Sequence, residues 1–133
     1  MYLLDTNVIS ELRKRRPHPA VVDWLRAVPS DKLYLSAMTI GELQAGVEVT
    51  RAQDPEKAEE IEFWIDQVAN TWNVLSLDAR VMRAWAQLMV GRQDELIEDG
   101  MIAAVAVVHR LTVVTRNVRD FERFGVAIVN PFA

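Results

Sequence analysis

Short, wholly apolar runs alternate along this chain with longer stretches whose apolar residues fall three or four apart, and that rhythm leaves few folds open. Tyr2 to Leu4, Leu33 to Leu35, Val74 to Leu77, Leu111 to Val114 and Ala127 to Val129 read as strands. None alternates apolar with polar residues, so all five are expected to be covered on both faces. Between them, helical spacing joins Val8, Ile9 and Leu12, then Val21, Val22 and Leu25, then Ile40, Leu43 and Val47. It returns at Ile61, Ile65 and Val68, at Val81, Trp85 and Leu88, and at Met101, Ile102, Val105 and Val108. Alternation of this kind predicts an α/β fold with a central, mostly parallel sheet of about five short strands flanked by helices. With 133 residues, one core suffices and residues 1–133 are expected to form a single domain.

Helix-start chemistry follows the same boundaries. Asn7 is placed to cap the first helix, Ser36 or Thr39 the helix after the second strand, and Asn117 or Asp120 a short helix after Thr115. The charged patch from Glu56 to Glu62 is expected to face water on a helix. Trp24, Trp64, Trp72 and Trp85 fall mostly on helix faces and are read as packing residues.

Composition narrows the chemistry. The chain has no cysteine, so disulfides and thiolate zinc sites are excluded and the reducing cytoplasm is the expected compartment. Its two histidines, His18 between prolines and His109 near a helix end, are read as structural. No apolar run reaches the ~18 residues that a membrane span needs. A net charge of −4 argues against a generic basic nucleic-acid binder, unless cations neutralise an acidic cluster.

Four acids stand where an apolar element turns over to its neighbour: Asp5, Glu42, Asp99 and Asp120. In open α/β sheets, ligands gather outside the carboxyl ends of the strands. Asp5 ends the first strand. Thr115 ends the strand that begins at Leu111, and Asp120 follows five residues later. Glu42 is expected in the first turn of the helix after the second strand. Asp99 joins them if its helix starts at the same edge, as a right-handed crossover demands.

Taken singly, three of these acids have simpler explanations. Glu42 after Thr39 completes a capping-box pattern, Asp120 is a candidate cap, and Asp99 offsets a helix dipole. Asp5 has none, because a carboxylate closing an apolar strand is poorly solvated. Together, four such carboxylates repel one another and raise each other's pKa unless a cation is present. With oxygen donors only, Mg²⁺ or Mn²⁺ is the expected ion, as one ion or two.

Four segments then carry a resemblance. Leu4-Asp5-Thr6-Asn7-Val8-Ile9-Ser10, Ser36-Ala37-Met38-Thr39-Ile40-Gly41-Glu42-Leu43, Asp99-Gly100-Met101-Ile102-Ala103-Ala104 and Val114-Thr115-Arg116-Asn117-Val118-Arg119-Asp120-Phe121 resemble, in this order, the PIN-domain ribonucleases. The VapC and FitB toxins of bacterial toxin–antitoxin pairs are the most similar members. The closing Val129-Asn130-Pro131-Phe132 is similar too, so the resemblance spans essentially the whole chain.

The resemblance implies a PIN-like three-layer sandwich and a metal-dependent endoribonuclease. Asp5, Glu42, Asp99 and Asp120 would form the acidic metal site, with Asn7 and Thr115 as polar support. Glu98 competes with Asp99 for the third position, and Gly100 stands where such chains more often carry Ala. The implied partners are an RNA substrate, a cognate antitoxin, a second copy of the chain, and operator DNA reached only through the antitoxin complex, with no membrane. Candidate RNA contacts are the basic run Arg13, Lys14, Arg15 and Arg16, together with Arg116. A phosphoacceptor-type signalling domain also clusters acids at a parallel sheet edge, but needs a nearby lysine, and Lys14, Lys32 and Lys57 lie away from the expected strand ends. An inactive PIN-like binding module is the remaining alternative.

Overall fold

The structure is a computed structural model that describes every residue from Met1 to Ala133. Five strands form one wholly parallel sheet: β1 (Tyr2–Leu4), β2 (Leu33–Ser36), β3 (Asn73–Leu75), β4 (Thr112–Val114) and β5 (Ile128–Val129). Their spatial order is β3-β2-β1-β4-β5. The chain therefore builds outward from β1 on one side, then crosses over to begin again at β4. The reversal point lies between β1 and β4, where a crevice opens outside the carboxyl ends.

Seven α-helices connect and cover the strands: α1 (Thr6–Glu11), α2 (Pro19–Ala27), α3 (Ala37–Arg51), α4 (Pro55–Thr71), α5 (Ala79–Leu88), α6 (Ile97–His109) and α7 (Val118–Glu122). The central strands carry consecutive side chains into two different cores. Leu3 and Val113 pack with Val81, Ile102, Val105 and Phe121 on the side of α5, α6 and α7. Leu4 and Val114 pack with Val8, Ile9, Val21, Leu35 and Val68 on the other side. All four of these strand residues are fully buried, which is why the strand sequences show no alternation. A third, smaller core of Val47, Ala58 and Ile65 joins α3 to α4.

The expectation that every strand is covered on both faces fails at the sheet's edges. Asn73 and Val74 of β3 are exposed and β5 is only half-buried, because an edge strand has one neighbour and less helix above it. The outer strands are also shifted or shorter than read: β3 begins at Asn73 and ends at Leu75, two residues short of Leu77. No helix is long and apolar enough to cross a membrane.

One capping assignment changes: Asp5, not Asn7, caps α1, its side chain accepting from the Thr6 amide. Of the two candidates for α3, Ser36 is the cap, accepting from the Met38 amide. Asn117 occupies the cap position of α7, while Asp120 lies inside that helix.

Truncation separates core from edge. Ile102→Ala is expected to cost about 2–5 kcal/mol, whereas Val74→Thr should stay within about 0.5 kcal/mol. Urea denaturation of the two variants measures the contrast.

Candidate active site

Asp5 leaves β1 at the reversal point, and its amide still donates to the Val114 carbonyl of β4 at 2.9 Å. That bond drives its carboxylate into the β1–β4 crevice, where it is 4% exposed. Three donors meet it there. The Thr6 amide reaches Oδ1 at 2.7 Å, while the Thr115 hydroxyl and the Asn7 amide reach Oδ2 at 2.7 and 3.1 Å. Burial raises the Asp5 pKa, and these three hydrogen bonds oppose the rise.

Asn7 and Thr115 thus occupy the supporting places read from the sequence. Asn7 also donates to Thr115 Oγ1 at 3.3 Å, and its Oδ1 accepts the Arg116 amide at 3.3 Å, so it ties α1 to the turn after β4. Thr115 accepts the Asn117 amide at 2.8 Å, which fixes the same turn.

Glu42 is the sixth residue of α3, one turn deeper than expected, because Ser36 and not Thr39 starts the helix. The capping-box explanation therefore lapses. Its Oε1 accepts instead from the Thr6 hydroxyl at 2.8 Å, and the Thr39 hydroxyl, 3.1 Å from Thr6 Oγ1, is the donor to Thr6 in turn. Burial raises the Glu42 pKa first, with the charges of Asp5 and Glu98 adding to it and the Thr6 bond opposing.

Asp99 stands in the first turn of α6 and accepts the Asn117 amide on Oδ2 at 3.1 Å. Its pKa is pushed up to about 7, by burial first and then by the charges of Asp5, Asp120, Glu42 and Glu98. The other three sequence-selected acids therefore fall within Coulombic reach of Asp99. Glu98 adds charge from the exposed side, but the Asn117 bond goes to Asp99.

Gly100 also has its reason here. A Cβ at this position would stand 2.6 Å from Met89 Sδ and 3.3 Å from Trp85 Cδ1, so the glycine lets α5 close onto the start of α6. The Trp85 indole donates to the Ile97 carbonyl at 3.2 Å and holds that start in place.

The protein's cations go elsewhere. Glu11, Glu48, Glu60 and Glu62 each pair with Lys or Arg, while Asp5, Glu42, Asp99 and Asp120 pair with none. Glu11 is the instructive contrast, a carboxylate as buried as Asp5. It accepts from Lys14 Nζ at 2.8 Å and the His18 amide at 2.9 Å, lies 3.6 Å from Arg116 Nη2, and its pKa falls, chiefly through the Lys14 bond.

Arg116 is thereby engaged, its guanidinium also lying 4.0 Å over the Phe132 ring. Arg13 to Arg16 are exposed beyond the end of α1. Of these, Arg13 and Lys14 line a cleft of about 460 Å³ that runs from Glu42 along α3 to Thr50, whereas Arg15 and Arg16 do not. Sequence reading passed over Thr6, Glu11, the Asn117–Asp99 bond and this cleft. The Asp-Thr-Asn order at the head of α1 was a usable signal for Thr6; nothing local marks the others.

The chain matches the PIN domain family model over residues 2–127. It belongs to the PIN domain family. The VapC ribonuclease Y4jK of Sinorhizobium fredii is 38% identical over 137 residues, covering 99% of this chain and 98% of the relative. The toxin FitB of Neisseria gonorrhoeae is 36% identical over 138 residues, covering 99% of both. Among solved structures, FitAB bound to the IR36 DNA fragment superposes with a TM-score of 0.87 at 33% identity, covering 100% of this chain and 96% of that one. The five-strand parallel sheet and seven helices described above are the PIN-like α/β fold.

The sign of the pH dependence follows from Asp99. A carboxyl whose folded pKa lies above its unfolded value near 4 binds more protons folded than unfolded between the two. The metal-free protein should therefore lose stability as pH rises from about 4 toward 7 and change little from this group above that. Asp99→Asn should flatten this slope, as thermal melts across pH would show.

Proposed function

We propose that this PIN-domain chain is a divalent-metal-dependent endoribonuclease, a single-domain toxin whose acidic pocket at the β1–β4 reversal point hydrolyses RNA phosphodiester bonds. One observation carries the reading: of four carboxylates at a sheet edge none has a Lys or Arg partner, and the three that accept side-chain hydrogen bonds, Asp5, Glu42 and Asp99, take them from neutral donors only. An excess of uncompensated negative charge in a half-buried crevice fits a hard cation. The relatives named ribonuclease and toxin support the class of reaction.

The donor set suits Mg²⁺ or Mn²⁺, being oxygen throughout. No three His, Cys, Asp or Glu side chains stand close enough together to hold a metal ion by themselves, so an ion here would need water to complete its coordination. Asp5, Glu42 and Asp99 would hold it, directly or through water, with Asp120 on the Asp99 side orienting water or supporting a weaker second position. When bound, the ion supplies positive charge that acidifies water and offsets the charge gathering on the phosphate.

The chain's own residues set the geometry. Asp5 is held by Thr6 on Oδ1 and by Asn7 and Thr115 on Oδ2. Thr6 fixes Glu42, and Asn117 fixes Asp99, so each acid is oriented by a neutral donor that leaves its charge undiminished. Asp99, the acid most burdened by its neighbours, would accept a proton most readily when the cation is withdrawn.

In the same reading the toxin is held by a cognate antitoxin and meets operator DNA through that complex, as the FitAB–DNA structure suggests for its own chains.

Glu42→Gln and Asp99→Asn should each reduce divalent-dependent cleavage of RNA by at least about 10²-fold, with melting temperature of the metal-free protein unchanged or raised. Asp5→Asn is the less clean substitution, because Oδ2 already takes two donors and an amide there would clash with one of them. Cleavage by the unsubstituted protein in excess chelator would overturn the proposal.

A further inference from the structure

The cleft beside the acids has an unusual floor. Its lining on α3 includes Glu42, Gly46, Val47 and Thr50, one face of the helix, with α1 and its basic end on one wall and Ile61 and Trp64 of α4 on the other. Gly46 sits in the interior of a 15-residue helix, where glycine costs about 1 kcal/mol relative to alanine. No packing explains that cost, since a Cβ at Gly46 would meet nothing within 4 Å. At Gly100, by contrast, neighbouring side chains fill the space. The bare backbone at Gly46 therefore opens onto the cleft itself.

We propose, building on the ribonuclease reading, that this cleft is a substrate subsite that seats one unstacked nucleotide of a single-stranded RNA beside the scissile phosphate. Glu42 lies at its mouth and belongs also to the acidic edge, so a strand crossing the acids continues into it. Arg13 lines the far side as a cation with no carboxylate partner, whereas Lys14 is bound to Glu11. Arg13 contacts the next phosphate along the strand. Trp64, half-buried where it packs against the cores of α3 and α4, lines the cleft and is the aromatic side chain on which a base would stack, a contact that tolerates any sequence because every base has a flat face. Thr6, Ser10 and Thr50 supply hydroxyls along the walls, and Gly46 lets the ribose approach the helix backbone. The volume of about 460 Å³ falls in the range of small-ligand sites. The unpaired Arg13 and the continuity with the acids favour RNA over a peptide.

The test uses the same glycine. Gly46→Ala and Gly46→Leu should both raise the melting temperature, since each is a better helix former, yet progressively obstruct the cleft. For Gly46→Leu, KM for a fluorescent single-stranded oligoribonucleotide should rise about tenfold, the worth of one base stack, with kcat nearly unchanged. Gly41→Ala serves as the control: its position is exposed and outside the cleft, so it should stabilise without altering KM. Arg13→Gln should weaken binding and flatten its salt dependence, and Trp64→Phe should retain most of the affinity. Fluorescence anisotropy in the cleavage-deficient Asp99→Asn background measures binding apart from catalysis. If the unsubstituted protein cleaves RNA and Gly46→Leu binds and cleaves it equally well, the subsite is wrong while the ribonuclease reading stands, whether or not the substitution releases a protein partner. If the unsubstituted protein neither binds nor cleaves RNA, both fall together.

Discussion

Burial of unpaired carboxylates at the carboxyl edge of a parallel sheet, with repulsion from their neighbours added at Glu42 and Asp99, is the constraint around which the rest of this structure is arranged. The fold meets it without spending a cation. Asp5 takes three neutral donors, Glu42 one and Asp99 one, and each bond orients an oxygen while leaving the full negative charge in place. Glu11 shows that the alternative was available a few residues away. There a buried carboxylate is given Lys14 and lies near Arg116, and its pKa falls where those of Asp5, Glu42 and Asp99 rise. A chain that can build a paired buried acid, and leaves its acidic edge unpaired, keeps that edge for a charge from outside.

The elements that place those acids belong to separate parts of the chain, and neutral polar side chains join them at the crevice in addition to the cores that pack them. Asn7 and Thr115 tie the head of α1 to the end of β4, Thr6 ties α1 to α3, and Asn117 ties the turn after β4 to α6. The two cores lie on opposite faces of the sheet and meet only through its thickness. The crevice is therefore the one region where α1, α3, α6 and α7 bear on each other through directional bonds.

The central architecture was legible because β1, β2 and β4 are buried on both faces, and a run such as Leu3-Leu4 or Val113-Val114 admits little else. The edges were less so: β3 and β5 have the same apolar look, but how much of a strand is covered depends on elements its own sequence does not contain. The cap of α1 was misplaced by two residues for a related reason. Asn7 and Asp5 are both good cap residues, and the choice of Asp5 is made by the Val114 carbonyl that holds its amide in the sheet. The acids could be listed from the sequence, since each interrupts or follows an apolar element. That Glu42 lies a turn deeper, and that Thr6 rather than a capping box restrains it, depends on where α3 begins relative to α1.

Gly46 and Gly100 show the limit most plainly. Both are helix-interior glycines, both depart from good helix chemistry, and in the sequence they carry the same signal. Across from Gly100 stand Met89 and Trp85, so the missing Cβ is the condition for two helices to touch, and the close contact sets where Asp99 begins its helix. Across from Gly46 stands nothing, so there the missing Cβ improves no internal contact and weakens α3. A glycine that strengthens packing is explained by its neighbours. A glycine that faces an open cleft next to an acidic edge leaves room there for a ligand, and Arg13, the unpaired cation on the cleft wall, gives the sign of charge it would favour.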